Sequence, residues 1–466
     1  MKMTLQDAAD ALHGSLVQGD PAVSFEHVSI DTRTLQAGDL FFAIRGPRHD
    51  GHDHLREAAN KGAIGAVVQK ISPRARRSCP RLSFLRAADT IAALQDLARF
   101  IRSQCRADIV GITGTNGKTT TKEMAASILS RAGKTLSTRG NFNNHLGLPL
   151  SLTDLRPDHR FAVLEMGSSL PGDIGLLVDI ARPRIGLITN IGKGHLRRLK
   201  TLEGVLREKR TLFDALPKEG VAVVNTDDPL LGPLARSLRC RVVTFGLTGQ
   251  ADVRAERMES GAFPIRFVLN AGGARAPVKL SIPGHFQVLN ALAAAGVAQA
   301  LGVPASDIAA GLESFRPVAM RMQVLTHGSG AVLINDAYNA NPSSVRASVT
   351  GLCQSFPERT RWVVLGEMRE LGRQARSEHE ELGQWLAARP VDRILFYGKE
   401  GRSVLRGARS AVSSPPHRPT VECFSKKRYL IAELQRSLTG GEAVLFKASR
   451  AVRLEEVVNA LLPVRD

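Results

Sequence analysis

Residues 111–124 read GITGTNGKTTTKEM and continue the apolar run DIVGIT. A buried strand that leads into a glycine-rich turn and then a helix is the start of a βαβ unit, and it constrains the fold more than any other stretch of this chain. The turn brings backbone N–H groups and the positive end of a helix to one point, which suits phosphate oxygens. We therefore predict a strand, a phosphate-binding turn and a helix over 118–132.

Lys118 and Thr119 carry the chemistry of this turn. In a phosphate loop the lysine reaches the terminal phosphates and the hydroxyl that follows helps to hold Mg²⁺. The strict spacing GxxxxGK[ST] is not met because residue 112 is Ile, and the glycines instead give GxxGxxGKTT. An ordinary glycine turn is the alternative, but a lysine followed by three threonines is poor core material. The residues favour a phosphate site.

Further apolar runs recur along the chain with helical patterns between them, which indicates an α/β protein with largely parallel sheets. A chain of 466 residues corresponds to two to four domains of about 100 to 200 residues each. The pattern separates a small α/β region at the N-terminus, a central region that contains the turn, and a third region with a second, smaller doubly wound sheet.

The net charge of +19, from 63 Lys and Arg against 44 Asp and Glu, suits nucleic acid, an anionic membrane face or a polyanionic small substrate. Aromatic residues make up only 5% and the basic residues are spread through the chain, which argues against nucleic acid. No run approaches the ~18 apolar residues of a membrane span, and the first residues predict an amphipathic helix and not a signal peptide. The cytoplasm is the expected compartment. The five cysteines form no CxxC pair.

The spelling TGTNGKTTT resembles the ATP loop of the Mur ligase superfamily, which includes folylpolyglutamate synthetases and makes amide bonds through an acyl phosphate. The resemblance covers nearly the whole chain, in segments such as TRGNFNNHLGLPLSL, LEMGSSLPGDIGLL, PRIGLITNIGKGHL, GHFQVLNALAAAGVAQALG, INDAYNANPSS and GEMRELG. It implies the three-domain Mur ligase architecture: a UDP-substrate domain over 1–103, a central P-loop domain for ATP over 104–318, and a Rossmann-like domain over 319–466 for ATP and an incoming dipeptide.

The segments NFNN, EMG and AYNANP most resemble the branch that adds D-alanyl-D-alanine to the UDP-N-acetylmuramoyl tripeptide, an ATP-dependent step of peptidoglycan precursor synthesis that serves cell-wall growth, cell shape and division. The alternative is another amide ligase of the superfamily, such as MurE or folylpolyglutamate synthetase, but an Asp-Tyr-Ala-His type of sequence is expected there in place of DAYNANP. From a different class, a nucleic-acid-stimulated ATPase would need a basic aromatic surface and an acidic Walker B strand, which the sequence does not offer. A monomer is the working expectation.

The resemblance assigns ATP contacts to both sides of a cleft between domains. Asp336 follows an apolar run and opens an Asx-rich turn, which suits ribose and phosphate. From its sequence position alone, Asn290 would be a helix N-cap. The residues expected to bind ATP are Gly114, Thr115, Asn116, Gly117, Lys118, Thr119, Thr120, Asn290, Arg321 and Asp336.

Three further residues are expected to take part in catalysis or metal binding. Glu165 ends the run FAVLE, at the strand end where open α/β sheets collect ligands, and the resemblance makes it a Mg²⁺ ligand with Thr119. His195 would help to bind a second Mg²⁺. Lys209, which the residues alone suggest is a helix-surface lysine, would carry a carbamate, and Lys118, Lys209 and His195 form the expected catalytic set.

The substrate residues are expected in three groups. The first binds the uridine nucleotide, the second faces the muramoyl peptide, and the third meets the incoming dipeptide or ATP. In that order they are Asp31, Thr32 and Arg33; Asn141, Asn143, Asn144, Ser168 and Ser169; and Tyr338, Asn339 and Asn341. The chain departs from the family pattern in the basic segment HLRRLKT, in Phe286 at a histidine position, and in Ala448 at a glycine position.

Overall fold

The protein is described by a computed structural model that covers residues 2–192, 196–259, 261, 263–369, 371–411 and 418–463. Two compact units share the chain. The first comprises Met1–Thr113, Ala132–Leu187 and Glu208–Ala222, and the second comprises Gly114–Arg131, Ile188–Arg207 and Val223–Asp466. The phosphate loop therefore opens a segment of the second unit, and the strand before it belongs to the first.

The N-terminal part of the first unit is a small α/β fold, as the sequence predicts. Its elements are β1 (Met3–Thr4), α1 (Leu5–Ala11), β2 (Ser15–Gln18), β3 (Ser24–Phe25), β4 (Val28–Ser29), β5 (Leu40–Phe42), α2 (Leu55–Asn60), β6 (Gly65–Val68), α3 (Pro73–Ser78), β7 (Ser83–Arg86) and α4 (Thr90–Ser103). The sheet order is β2-β7-β6-β5-β4, parallel except for the antiparallel edge strand β2. Phe41 and Phe84 lie in its core.

Helix α1 is amphipathic, as the sequence predicts. It buries Leu5, Ala8 and Ala9 on one side. Thr4 accepts a hydrogen bond from the Asp7 N–H and the Asp7 carboxylate accepts one from the Thr4 N–H, so that a capping box begins the helix.

The next part of the chain alternates strands with helices. Its elements are β8 (Asp108–Thr113), α5 (Lys118–Ala132), β9 (Thr135–Ser137), α6 (Gly147–Leu152), β10 (Phe161–Glu165), α7 (Asp173–Ala181), β11 (Ile185–Ile188), α8 (Leu196–Leu199), α9 (Leu202–Asp214) and β12 (Val221–Asn225). Within the first unit, β10 lies between β8 and β9 and runs parallel to both. All five residues of β10 are buried, which is typical of a parallel strand covered on both faces.

The second unit continues with β13 (Arg241–Gly246), β14 (Val253–Glu256), β15 (Ile265–Ala271), β16 (Ala274–Leu280), α10 (Phe286–Ala300) and α11 (Ala305–Ser314). Strands β14, β15 and β16 pair antiparallel. Alternate residues of β16 are buried, as expected of a sheet with one solvated face. The prediction of largely parallel strands did not include this antiparallel part.

The C-terminal part of the second unit is the predicted smaller doubly wound sheet. Its elements are β17 (Gln323–Thr326), β18 (Val332–Asn335), α12 (Pro342–Ser355), β19 (Thr360–Gly366), α13 (Ala375–Ala387), β20 (Arg393–Tyr397), α14 (Gly401–Ser410), β21 (Thr420–Phe424), α15 (Lys427–Ser437), β22 (Glu442–Lys447) and α16 (Glu455–Leu461). The order is β17-β18-β22-β19-β20-β21, parallel except for β17. The loops after β18 and β22 therefore leave the same edge of the sheet side by side.

None of the helices among the described residues combines the length and the apolar character needed to cross a membrane.

Candidate active site

Two glycines give the phosphate loop (114–118) its shape. Gly114 and Gly117 have φ angles of 146° and 82°, which L side chains rarely adopt. A Cβ atom at Gly114 would lie 1.9 Å from the Thr189 hydroxyl oxygen, and one at Gly117 would lie 2.3 Å from the Asn290 Oδ1. Both positions therefore require glycine, because the loop backbone lies directly against its neighbours.

The segment that follows β11 supports this loop. The Thr115 N–H donates to the Asn190 carbonyl at 3.0 Å, and the Asn116 N–H donates to the Asn190 Oδ1 at 3.0 Å. The Thr189 hydroxyl donates to the Asn116 carbonyl at 2.6 Å. With these groups bonded to the support, the donors best placed for an anion are those of the first turn of α5, because helix N-termini concentrate N–H groups.

Lys118 is the first residue of α5, and its side chain turns back over the loop. Its ammonium donates to the Gly114 carbonyl at 2.8 Å and to the Thr115 carbonyl at 3.2 Å. An ammonium has three donors and can exchange carbonyl oxygens for phosphate oxygens without leaving the loop. This geometry suits a lysine that binds the terminal phosphates of a nucleotide.

Asn290 lies in α10 and not at its N-cap. The helix begins at Phe286, one turn earlier than the sequence position of Asn290 suggests. Its amide donates to the Gln287 Oε1 at 2.8 Å and accepts from the Thr121 hydroxyl at 3.4 Å. Asn290 is thus fixed against the start of α5, beside Gly117.

Arg321 also reaches the start of α5. Its guanidinium donates to the Thr119 hydroxyl at 3.4 Å and stacks on the Tyr338 ring, with 3.8 Å between the guanidinium carbon and the ring centroid. Met320 and Met322, on either side of it, have φ angles of 61° and 50°, which cost energy for residues other than glycine. The backbone is therefore strained on both sides of Arg321.

Asp336 follows β18 and is buried. Its Oδ2 accepts from the Lys447 ammonium at 2.5 Å and from the Ser348 hydroxyl at 2.7 Å. Its Oδ1 accepts from the Met322 N–H at 3.2 Å. The carboxylate therefore ties the end of β18 to β22, to α12 and to the segment around Arg321.

The residues predicted to meet the incoming dipeptide or ATP lie between β18 and α12. Asn341 is the N-cap of α12, and its Oδ1 accepts from the Ser344 N–H at 2.8 Å. The carbonyl of Asn339 accepts from Lys447 at 3.1 Å. Of these three predicted residues, Tyr338 contacts another predicted residue, Arg321, whereas Asn339 and Asn341 are held here by Lys447 and Ser344.

A second group of predicted residues, within the first unit, surrounds Lys209. The side chain of Lys209 is 3% exposed and its ammonium donates to the Ser168 hydroxyl at 3.3 Å. The neighbouring Glu208 accepts from the N–H groups of Gly172 and Ile174 at 2.8 and 2.7 Å, at the N-terminus of α7. This contact fixes α9, and with it Lys209, against the loop that carries Ser168.

Glu165 ends β10, as predicted, and is 3% exposed. Its Oε1 accepts from the Asn143 amide at 2.7 Å, and its N–H donates to the Thr138 hydroxyl at 3.0 Å. The Asn143 carbonyl accepts from the Gly167 N–H at 2.7 Å. The NFNN segment is thus joined to the residues that follow β10.

The other predicted peptide-side residues, Asn141, Asn144 and Ser169, are all exposed. Asn144 accepts from the N–H groups of Leu146 and Gly147, where α6 begins. Ser169 is exposed, and its N–H donates to Asp173 at 2.8 Å. Among these residues, Asn144 already has a structural role of its own.

Asp31, Thr32 and Arg33 form a turn at the surface of the N-terminal fold. Arg33 pairs with Asp31 at 2.6 Å, and the Lys61 ammonium donates to the Thr32 carbonyl at 2.6 Å. The hydrogen bond from Arg33 lowers the pKa of Asp31 below its usual value. The exposed guanidinium of Arg33 offers an anion site at this turn.

The residues expected to bind metal ions are divided between the two units. Thr119 begins α5 and Glu165 ends β10, whereas His195 lies outside the described residues. Among the residues that the structure describes, no group of three or more His, Cys, Asp or Glu forms a metal-binding cluster. A hydroxyl and a carboxylate are nevertheless the hard oxygen donors that Mg²⁺ prefers.

Sequence reasoning missed several residues that build the site. Thr189 and Asn190 follow the apolar run of β11, and the same strand-end argument that selected Glu165 would have selected them. Lys447 ends β22, and its full burial beside Asp336 could not be inferred from its type. Glu208 offered no signal, because a glutamate in a helix is normally solvated.

This combination of phosphate loop and α/β units defines a nucleotide-binding protein, and comparisons with known proteins give its family. Three family models match in order along the chain: the Mur ligase family catalytic domain at 24–99, the Mur ligase middle domain at 112–298, and the Mur ligase glutamate ligase domain at 320–450. The chain belongs to the Mur ligase family.

Similar proteins agree over the full length. The UDP-N-acetylmuramoyl-tripeptide--D-alanyl-D-alanine ligase of Bacillus subtilis is 32% identical, over 99% of this chain and 99% of that protein. The crystal structure of MurF from Acinetobacter baumannii superposes with a TM-score of 0.87 at 31% identity, with 99% of each chain covered. MurF ligase from Thermotoga maritima in complex with ADP gives 0.80 at 28% identity, over 94% of this chain and 97% of that one.

Proposed function

We propose that this chain joins D-alanyl-D-alanine to UDP-N-acetylmuramoyl tripeptide, with ATP converted to ADP and phosphate. The observation that carries the proposal is the end-to-end similarity to proteins of that name. The phosphate loop supports the ATP half independently, because its glycines, Lys118 and the start of α5 suit a nucleotide. The reaction belongs to peptidoglycan precursor synthesis in the cytoplasm, and the enzyme works as a monomer.

The chemistry requires two displacements. A carboxylate oxygen of the tripeptide attacks the γ-phosphorus of ATP, ADP leaves, and an acyl phosphate forms. The amine of the dipeptide then attacks the acyl carbon, phosphate leaves, and the nitrogen loses a proton. Neither step needs a protein nucleophile, so the site acts through positioning and charge neutralisation.

We assign the ATP side to residues of the second unit. The loop residues from Gly114 to Thr120 would hold the phosphates, with Lys118 on the terminal ones. Asn290 would lie near the adenine, Arg321 would contact phosphate, and Asp336 would serve the ribose side. The support comes from their placement, since Asn290, Arg321 and Asp336 all contact α5 or the segments fixed to it.

We assign the acceptor side to the cluster around Lys209 in the first unit. Thr119 and Glu165 would be ligands of Mg²⁺, with His195 for a second ion, and bound Mg²⁺ would neutralise charge on the phosphates. A carbamate on Lys209 would convert this buried cation into a carboxylate. Asn143 on Glu165 and Ser168 on Lys209 support a shared peptide-side role.

The uridine nucleotide is proposed to bind at residues 31–33, where the exposed Arg33 offers a cation for its diphosphate. The high net charge of the chain fits substrates that carry several phosphates and carboxylates. We retain domain boundaries of 1–103, 104–318 and 319–466 for these substrate-binding roles. The dipeptide would meet the loop of Tyr338, Asn339 and Asn341.

The test is a ligation assay with purified protein, ATP and Mg²⁺. Release of ADP and phosphate should require both the UDP-muramoyl tripeptide and D-alanyl-D-alanine, with one amide formed per ADP. Parallel reactions with diaminopimelate-type and lysine-type tripeptides will identify the third residue. Indifference to both substrates, with ATP hydrolysis stimulated by nucleic acid, would contradict the proposal; use of a free amino acid in place of the dipeptide would favour a sister ligase.

A further inference from the structure

The side chain of Asn116 points away from the loop in which it lies. Its backbone N–H and carbonyl are bonded to Asn190 and Thr189. Its side-chain Nδ2 donates to the Ser343 hydroxyl at 3.0 Å, and its Oδ1 accepts from the Asn341 Nδ2 at 3.1 Å. The Asn116 amide therefore donates one hydrogen bond to Ser343, in the first turn of α12, and accepts one from Asn341, the N-cap of that helix.

The cap of α12 fixes the direction of these bonds. The Asn341 Oδ1 already accepts from the Ser344 N–H at 2.8 Å and from the Ser343 hydroxyl at 2.9 Å. An amide that accepts there must turn its Nδ2 outward, so the Asn116 group facing it must be the oxygen. The Nδ2 of Asn116 is then left to meet Ser343.

The segment that precedes α12 is held from the neighbouring strand. Lys447, at the end of β22, donates to the Asn339 carbonyl at 3.1 Å, and the Ser449 hydroxyl donates to the Ala340 carbonyl at 3.3 Å. These bonds restrain the two residues immediately before Asn341. A shift of this segment would therefore pull on Asn116, and through it on the phosphate loop.

We propose that Asn116, Asn341 and Ser343 form a latch that couples the phosphate loop to the 336–341 segment. Asn116 is then a positioning residue: its backbone shapes the loop, and its side chain aligns the dipeptide segment with the nucleotide. This role rests on the proposed function, in which that segment meets the incoming dipeptide. If the Asn116 side chain instead contacted phosphate directly, its removal would weaken nucleotide binding and leave the use of the dipeptide unchanged.

The first experiment separates these roles with Asn116→Ala in the full-length protein. The latch predicts that kcat/KM for D-alanyl-D-alanine falls on the order of tenfold, the loss expected for two partly exposed hydrogen bonds. The dissociation constant for ADP, from calorimetric titration, should change less than about twofold, because the phosphate donors are backbone groups and Lys118. A tenfold weaker ADP complex with an unchanged kcat/KM for the dipeptide would overturn the proposal.

The second experiment is a pair of double-mutant cycles. Asn116→Ala with Ser343→Ala should be non-additive in kcat/KM, because either change opens the same bond. Asn116→Ala with Ser127→Ala is the control, since the Ser127 hydroxyl donates to the Gly311 carbonyl and bonds none of the latch residues. That pair should be additive. Additivity in the Ser343 cycle would refute the latch.

A readout without substrates separates this proposal from the proposed function. Hydrogen exchange of backbone amides in 337–345 should be several-fold faster in Asn116→Ala than in the unaltered protein. If the unaltered protein ligates no dipeptide, the proposed function fails, and exchange still decides whether the latch exists. If it ligates but exchange is unchanged in the variant, only the latch fails.

Discussion

Removing one partner of the buried pair of Lys447 and Asp336 should destabilise the C-terminal sheet. The two side chains are 4% and 10% exposed, and their charged atoms lie 2.5 Å apart. Replacing Lys447 by Met keeps the length of the side chain but leaves the Asp336 carboxylate buried without its cation. Breaking a buried ion pair in this way costs about 3–5 kcal/mol.

The other hydrogen-bond donors to Asp336 place the expected loss of stability at the lower end of this range. Asp336 keeps the hydroxyl of Ser348 and the N–H of Met322 as donors after the substitution. We therefore expect Lys447→Met to lower the free energy of unfolding by about 3 kcal/mol. Adding Asp336→Asn removes the uncompensated charge, so the double variant should recover on the order of 2 kcal/mol of this loss.

Tryptophan fluorescence in urea measures the effect where it occurs. The two tryptophans of the chain, Trp362 and Trp385, lie in β19 and α13 of the C-terminal sheet. With a slope of about 2–3 kcal/mol per molar urea, the midpoint of Lys447→Met should fall by roughly 1 M. Lys427→Met is the control, because its partner Glu456 is 41% exposed and such pairs contribute under about 1 kcal/mol. Equal shifts in the two variants, or additivity of Lys447→Met and Asp336→Asn, would refute the reasoning.

Three further predictions concern charge. Lys118→Ala should abolish ADP formation in the ligation assay, and unchanged turnover would contradict its place on the phosphates. Lys209→Ala should lose activity that added formate or acetate partly restores, whereas full activity without them would exclude a carbamate. Arg393, with help from Ser437, lowers the pKa of Glu433 to about 2; because the folded value lies below the usual 4.5, this contribution is complete above about pH 4.5 and is lost as the pH falls toward 2. In Glu433→Gln, acid unfolding followed by fluorescence should lose part of its pH dependence in that window, and an unaltered profile would contradict the assignment.

The sequence predicted those parts of the fold that local patterns determine. The strand before the turn and the helix over 118–132 are confirmed as β8 and α5, because a buried parallel strand and a helix start both have compositional signals. The helix around Asn290 begins a turn earlier than expected, since Phe286 and Gln287 carry no start signal. The antiparallel pairing of β15 with β16 was not predicted, as pairing direction depends on distant strands.

The residues of the site also divide into those that a local sequence motif predicts and those that it does not. Lys118 could be found from its motif because a phosphate loop needs glycine, lysine and threonine close together in sequence. The hydrogen bonds from Thr189 and Asn190 to the phosphate loop could not be predicted, because they join residues about 75 positions apart and form only after folding. The same applies to Lys447, whose contacts with Asp336 and Asn339 depend on β18 and β22 lying side by side.

Two departures from the family pattern are changes in packing beside residues of the site. Phe286 fits between two glycines: a Cβ at Gly284 would lie 2.5 Å from its ring and one at Gly351 would lie 3.1 Å from it. Ala448 is accommodated in the same manner, because a Cβ at Gly366 would lie 2.7 Å from its methyl group. In both places the side chain lies against a residue that has none, and a Cβ atom on that residue would be too close to it. Phe286 at the start of α10 and Ala448 after β22 therefore depend on these facing glycines for their space.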